Sequence, residues 1–272
     1  MEARGPAADL MADFALPLPL GVICALLGVP DPDQGEFHRW SRTTLDLGLP
    51  MEERLAAGRE SRAYTAALVA EKRRIPDDGM IGMLVREHGD AVSDAELVGV
   101  CELLLLAGHV TVSNTIGLGV LALLAHPDQA ARLRDADEAD PVIDGAVEEL
   151  LRYSSVSSTA LARTARYDTE LGGVPIKAGD QVVCQLPVAN RDPELGAGMD
   201  HFDTGRKPVS HLAFGHGPHH CLGAPLARAE LRIALPALLR RLPGLALACP
   251  AEEVSYRVNN EVYGLHALPV TW

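Results

Sequence analysis

The chain has 272 residues, 47% of them hydrophobic and only 4% aromatic, and its 37 acidic and 24 basic side chains leave a formal charge of -13 at pH 7. That apolar content is enough for a globular core. Nucleic acid and an anionic membrane surface are excluded as partners, because the basic stripe and stacking aromatics they call for are missing. Cysteines at 24, 101, 184, 221 and 249 are odd in number and widely spaced, with no Cys-x-x-Cys pair. Neither a disulfide framework nor a structural zinc knuckle is expected, and the compartment reads as reducing and cytoplasmic.

In chain order, Glu2, Asp9 and Asp13 against a single Arg4, with Pro17 and Pro19 close behind, do not make a signal peptide. Leu16 to Leu27 reads as a helix that stops at Gly28 and Pro30. Pro50 to Lys72, rich in Ala, Glu and Arg, reads as another, stopped by Ile75-Pro76. Ser93 with Glu96 three residues on is a capping box that opens a long apolar helix through Ala125. Its residues 103–125 carry no formal charge and could span a bilayer. However, His109, Thr111, Ser113, Asn114 and Thr115 sit mid-span, where hydrocarbon penalises them most, so a buried helix lining something polar is expected. His126-Pro127 ends it, and helices follow at Asp128 to Arg134 and Ile143 to Tyr153.

After Tyr153 the texture changes. Leu171-Gly172-Gly173-Val174 and Lys177-Ala178-Gly179-Asp180 are turns beside short strands, the clearest being Gln181 to Leu186. Asn190 to Phe214 reads as a long irregular stretch, which in a compact domain is functional or disordered. A helix from about Ala224 and strands at Leu245 to Ala248, Glu252 to Val258 and Leu265 to Val270 complete the reading. The fold class is mostly α with small β-sheets (α+β). A single domain over 1–272 is expected, helical over about 9–155 and mixed over about 156–272.

Chemistry concentrates at Phe214-Gly-His-Gly-Pro-His-His-Cys-Leu-Gly223, directly before the helix. Gly215, Gly217 and Gly223 let the backbone turn sharply and approach a flat ligand, and Pro225 suits a first helical turn. Cys221 then sits at or just before a helix N-terminus, whose free N–H groups and dipole favour a thiolate. Three readings are open for it. It could be a buried structural cysteine. It could belong to a zinc site with His216, His219 and His220, which the adjacent spacing disfavours. It could be an axial haem thiolate, which needs one sulfur and a flat apolar cleft.

The string fits Phe-Gly-x-Gly-x-His-x-Cys-Leu-Gly, and the chain resembles the cytochrome P450 family of haem-thiolate monooxygenases in its soluble bacterial form. The resemblance implies that Cys221 is the axial ligand of haem b (iron protoporphyrin IX), in a loop that includes Gly215 and Gly223. It implies that Phe214 packs beside the sulfur, and that His219 and Arg163 reach the haem propionates. Glu149-Leu-Leu-Arg152 resembles the family's Glu-x-x-Arg helix, which closes with a later arginine, here Arg206, to pin the cysteine loop from below. Alone, that acid–base pair would be an ordinary surface pair, and Arg163 a solvated strand-end residue. Ala107-Gly108-His109-Val110-Thr111 resembles the oxygen-binding kink, where a small residue admits the haem and a threonine guides protons. A lone helical glycine is otherwise a packing point. Val110 departs from the family, where many relatives carry an acid. Asn114 matches it as either a catalytic group or a buried hydrogen bond.

By the same resemblance, dioxygen and a small apolar organic substrate are the reactants, in bacterial secondary metabolism. A ferredoxin or flavoprotein supplies electrons on the cysteine side, with Arg228, Arg232, Arg240 and Arg241 as either candidate contacts or a solvated helix face. The resemblance runs from about Asp9 to Trp272, and the family's N-terminal portion has no counterpart. The expected consequences are weaker haem retention, an open distal side, and an uncovered apolar face that favours self-association or a complementing N-terminal polypeptide. The alternative is a non-catalytic or partner-dependent accessory protein that binds haem weakly or not at all.

Overall fold

Proline, glycine and acidic caps punctuate the helical part. The computed structural model describes residues 1–2, 5–30, 33–157, 162–257 and 260–272. Helix α1 (Pro17–Leu27) follows a π-helical turn at Met11–Ala15 and is closed by Gly28 at φ 73°. Next come α2 (Gln34–Leu45), α3 (Met51–Arg74) and α4 (Met80–His88). Helix α3 has Glu52 and Glu53 in its first turn and Lys72, Arg73 and Arg74 in its last, all opposing the helix dipole. Helix α5 (Asp94–Ala125) opens on the capping box, with Ser93 N–H donating to Glu96 at 2.8 Å and Glu96 N–H to Ser93 Oγ at 3.3 Å. Helices α6 (Pro127–Asp135) and α7 (Pro141–Ser154) each begin with proline, where the missing N–H costs nothing. A short α8 (Leu186–Ala189) and the 18-residue α9 (Ala224–Arg241) complete the helices of the described residues.

The strands are short. β1 (Ala8–Asp9), β6 (Ala246–Leu247) and β9 (Pro269–Thr271) form an antiparallel sheet in the order β1-β9-β6, with Ala8 opposite Val270 and Ala246 opposite Thr271. Three antiparallel pairs accompany it: β2 (Arg163–Thr164) with β5 (Gln181–Val182), β3 (Thr169–Leu171) with β4 (Val174–Ile176), and β7 (Tyr256–Arg257) with β8 (Gly264–Leu265). Gly172 and Gly173, at φ 59° and 80°, make the β3–β4 turn. The expected mostly-α architecture with small sheets is therefore present.

Several expected boundaries need correction. The strand expected over Gln181 to Leu186 is two residues long, because Leu186 already starts α8. The tail strand expected from Glu252 starts at Tyr256, after a 3-10 turn at Ala251–Glu253, and Val258 lies outside the described residues. The strand expected over Leu265 to Val270 is two strands with different partners, β8 on β7 and β9 in the three-stranded sheet.

Helix α5 is the axle of the molecule. Its N-terminal half (Leu97, Val98, Cys101, Leu105) is buried with α1 to α4, where Phe37, Trp40 and Tyr64 pack edge to face or tilted. Its C-terminal half (Val112, Ile116, Val120, Leu123) joins the larger core of α6, α7, α9 and the tail. Leu45, Val110 and Val262 form a third, small cluster. Each fully buried aliphatic side chain contributes about 1.5–3 kcal/mol, so α5 is held from several sides. It is long and apolar enough to cross a membrane by length and composition. Even so, Ser113, Asn114 and Thr115 are buried, and their side chains bond back to the carbonyls of His109, Val110 and Thr111 at 2.6, 2.8 and 2.9 Å.

Candidate active site

The cysteine loop leaves residue 212 and enters α9 at Ala224. Leu212 O accepts from Gly215 N–H at 2.9 Å, and Gly215 and Gly217 turn the chain at φ 71° and 83°, with open space where a side chain would start. Only glycine adopts such angles without strain. Gly223 is different: at φ -80° it needs no left-handed backbone, and its place is the N-cap of α9, which corrects the expectation that it too makes a sharp turn. Cys221 N–H donates to Phe214 O at 2.9 Å, and Cys221 O accepts from Ala224 N–H at 3.3 Å. The thiol is thereby held three residues ahead of α9 and is solvent-exposed. Beside it Leu222 is 80% exposed, an apolar side chain with nothing covering it.

Behind the loop stands a charge-aromatic stack. Arg228 lies 4.6 Å from the Phe214 ring centroid, and its Nε donates to Glu148 at 2.6 Å. His211 Nε2 meets the same carboxylate at 3.0 Å. Burial alone would push the Glu148 pKa up, but the hydrogen bonds from Arg228 and His211 outweigh it and hold the carboxyl at about 2. Residue spacing alone does not reveal this pairing.

Deeper still, Glu149, Arg152 and Arg206 are brought together. Arg152 is buried and donates to both Glu149 oxygens at 2.7 Å, to Asn190 O at 2.8 Å, Met199 O at 2.6 Å and His201 O at 3.1 Å. Arg206 Nε reaches Glu149 at 3.2 Å and its Nη2 reaches Gly198 O at 2.8 Å. What the trio holds directly is the irregular 190–206 stretch, which gives that stretch its reason to be ordered. The cysteine loop is reached one step later, through Asn190, whose Oδ1 accepts from Leu212 N–H at 2.6 Å. Asn190 is fully buried and also donates to Ser155 at 2.8 Å. In the sequence it is marked only as the start of the irregular stretch.

On α5, Val100, Leu103 and Ala107 form an exposed apolar stripe at helical spacing, with Leu103 61% exposed. Thr111, next on that stripe, donates to Ala107 O at 2.9 Å. Gly108 does not belong to it, which corrects the expectation that it makes room for a ligand. A Cβ there would stand 2.9 Å from Ile23 Cδ1, so its missing side chain admits α1. Asn114 joins α5 to β8 through its side-chain oxygen and Leu265 N–H at 3.3 Å and is a buried structural group. Arg163 on β2 and His219 in the 3-10 turn Gly217–His219 are both exposed, on separate segments.

The four arginines of α9 each have a partner within the chain. Arg228 pairs with Glu148, Arg232 with Asp144, Arg240 with the Arg134 and Ala136 carbonyls, and Arg241 with Glu2.

These residues fit one kind of prosthetic group. Among the described residues no three His, Cys, Asp or Glu side chains gather as a metal cage. A metal brought in by a macrocycle supplies its own equatorial donors and asks the protein for one soft axial ligand. The exposed thiol of Cys221 has the chemistry of such a ligand. The open space at Gly215 and Gly217, bare Leu222 and the apolar stripe of α5 suit a flat, largely apolar group.

The model of the cytochrome P450 family matches residues 50–245. Cytochrome P450 165B3 of Amycolatopsis orientalis is 45% identical over all of this chain and 68% of its own length. Pentalenic acid synthase of Streptomyces avermitilis is 46% identical over all of this chain and 67% of its own. The crystal structure of CYP105P1 in complex with filipin I superposes with a TM-score of 0.94 at 41% identity, over the whole chain and 68% of that one. OxyB from teicoplanin biosynthesis, solved in complex with the X-domain, gives 0.90 at 48% identity, over the whole chain and 72% of that one. The chain thus spans about two thirds of the length of the curated relatives it matches.

Proposed function

This chain belongs to the cytochrome P450 family, whose members use haem b, and we propose on that footing that it is a cytoplasmic haem-thiolate monooxygenase of bacterial secondary metabolism. When bound, haem b supplies the iron at which dioxygen is activated, so that one oxygen atom enters an organic substrate and the other leaves as water. Cys221 would hold the iron through its sulfur, and its backbone is oriented by the N–H it donates to the Phe214 carbonyl. Arg163 and His219 would hold the carboxylates of the group as charge-assisted partners. Glu148 keeps Arg228 over the Phe214 ring, on the cysteine side of the site.

On the opposite wall, Ala107 leaves room, and Thr111 retains hydroxyl lone pairs after donating to Ala107 O. Those lone pairs can order a water that moves protons, a task the apolar Val110 side chain cannot share. The substrate has a mainly apolar body, and a ferredoxin or flavoprotein supplies the electrons.

The observation that carries this reading is the exposed thiol of Cys221, held by the backbone ahead of α9 in a loop left open by two left-handed glycines. Titration of haem into the haem-free chain tests it. Uptake of one haem per chain, with a low-spin thiolate electron-paramagnetic-resonance signal that Cys221→Ser removes, is expected. No uptake, or a signal unchanged in Cys221→Ser, overturns the proposal and brings forward the accessory role.

A further inference from the structure

Where α2, α5 and β7 meet, the chain holds more positive charge than it neutralises. The 260–262 segment is fastened to the end of α2 by an antiparallel bridge between Asp46 and Asn260 and by Arg54, which donates to Thr44 O at 2.9 Å and Glu261 at 3.3 Å. This brings Arg257 of β7 against α2, within electrostatic reach of both Arg42 and His38. No hydrogen bond or ion pair from the described residues reaches the guanidinium of Arg42 or Arg257. Arg257 is half-buried, and burial together with Arg42 lowers its basicity. A half-buried cation without a partner is costly.

Two ring nitrogens share the situation. Among the described residues, His38 Nδ1 and His109 Nε2 are both buried without a hydrogen-bond partner, and the two rings meet edge to face with centroids 6.2 Å apart. His109 Nδ1 contacts Leu105 O at 2.8 Å and so carries the proton, leaving Nε2 as an acceptor. The apolar floor beneath is Leu45, Val110 and Val262, with Leu106 beside them. Val110 is the position at which the sequence departs from an acid, so no carboxylate of α5 answers these cations. The acid that does face Arg257 is Asp46, whose Oδ1 already accepts from Gly48 N–H at 2.9 Å. Two guanidiniums against one carboxylate leave about one net positive charge, which matches a monoanion better than a phosphate.

We propose that the substrate carries a carboxylate, bound between Arg257, Arg42 and His38 at the junction of α2, α5 and β7, with its apolar body on Leu45, Val262 and Leu106. This rests on the monooxygenase reading for the word substrate. The site itself lies on other elements than Cys221. Arg257 is the main contact because it is the less solvated cation, and Arg42 is secondary. His109 Nε2 accepts from a water or from a hydroxyl of the ligand, never from the carboxylate.

The test is calorimetric titration of decanoate and of decan-1-ol into the full chain, with and without haem. Decanoate is expected to bind at least about tenfold more tightly than the alcohol, the factor carried by one charge-assisted pair. Arg257→Met should erase that preference, Arg42→Met should reduce it about threefold, and added salt should weaken it, with binding of the alcohol unchanged throughout. Because Arg257 has no partner among the described residues, Arg257→Met should also melt at the same or a higher temperature.

Equal affinities for acid and alcohol, a preference that survives in the double variant, or a lower melting temperature for Arg257→Met would each overturn the proposal. A preference present only in the haem-free chain would assign the site to a haem propionate and overturn it as well. Failure of the haem-thiolate reading would show separately, as a carbon monoxide spectrum without a red shift while the decanoate preference stands.

Discussion

Replacing Arg152 by Met removes the most heavily bonded side chain beneath the site. Its guanidinium is 1% exposed and satisfies three carbonyls as well as both oxygens of Glu149. Breaking one partner from a buried pair costs about 3–5 kcal/mol, and each carbonyl left unpaired adds about 1 kcal/mol or more. Glu149 would keep Arg206 at 3.2 Å and the Asp203 N–H at 2.9 Å, which softens the first of these. A loss on the order of 5 kcal/mol follows, against a total domain stability of about 5–15 kcal/mol. Glu149→Gln keeps the shape and should cost about 3 kcal/mol. The double variant should then lose less than the two singles together, by at least about 2 kcal/mol of coupling. Urea midpoints of the haem-free chain measure all three. If Arg152→Met stays within about 1 kcal/mol of the parent, or if the two changes simply add, the trio does not hold the 190–206 stretch as described.

Other outcomes follow from the same geometry. Gly108→Ala should destabilise the chain by about 1–2 kcal/mol despite alanine's better helix propensity, because its Cβ meets Ile23; Ile23→Val should recover part of the loss in a urea titration. Glu148, held at about 2 against an ordinary 4.5, contributes stability that is present above pH 4.5 and lost as pH falls toward 2, so Glu148→Gln should flatten that limb of an acid melt. Glu230 works in the opposite sense: burial pushes it up to about 7 from 4.5, the folded state keeps its proton longer, and stability falls as pH rises between those values. The melting-temperature advantage of Glu230→Gln should therefore be larger at pH 8 than at pH 5. Arg163→Met should weaken haem affinity roughly tenfold, the value of one charge-assisted contact, read by haem transfer to a competing apoprotein.

Elements bounded by local chemistry were legible in the sequence. The Ser93–Glu96 box opens α5, Pro127 and Pro141 open α6 and α7, and Pro225 lies in the first turn of α9. Helix α2 gave no such signal, because Asp33 makes no side-chain cap and the helix is held by Phe37 and Trp40 against Tyr64 of α3. The cysteine loop could be read because its glycines and cysteine are consecutive. The Arg228–Glu148 pair, the burial of Gly108 under Ile23 and the gathering of Arg257 with Arg42 could not, since each depends on how distant helices pack. Asn114 shows the same limit: the sequence marks it, but only the approach of Leu265 identifies its work as structural.

The central claim is that Cys221 presents a thiolate to haem iron, and the most direct measurement is the carbon monoxide spectrum of the haem-reconstituted, dithionite-reduced chain. A strongly red-shifted Soret band in the parent that is lost in Cys221→Ala is the expected result. A parent spectrum without that shift, or one that Cys221→Ala leaves unchanged, would contradict the account.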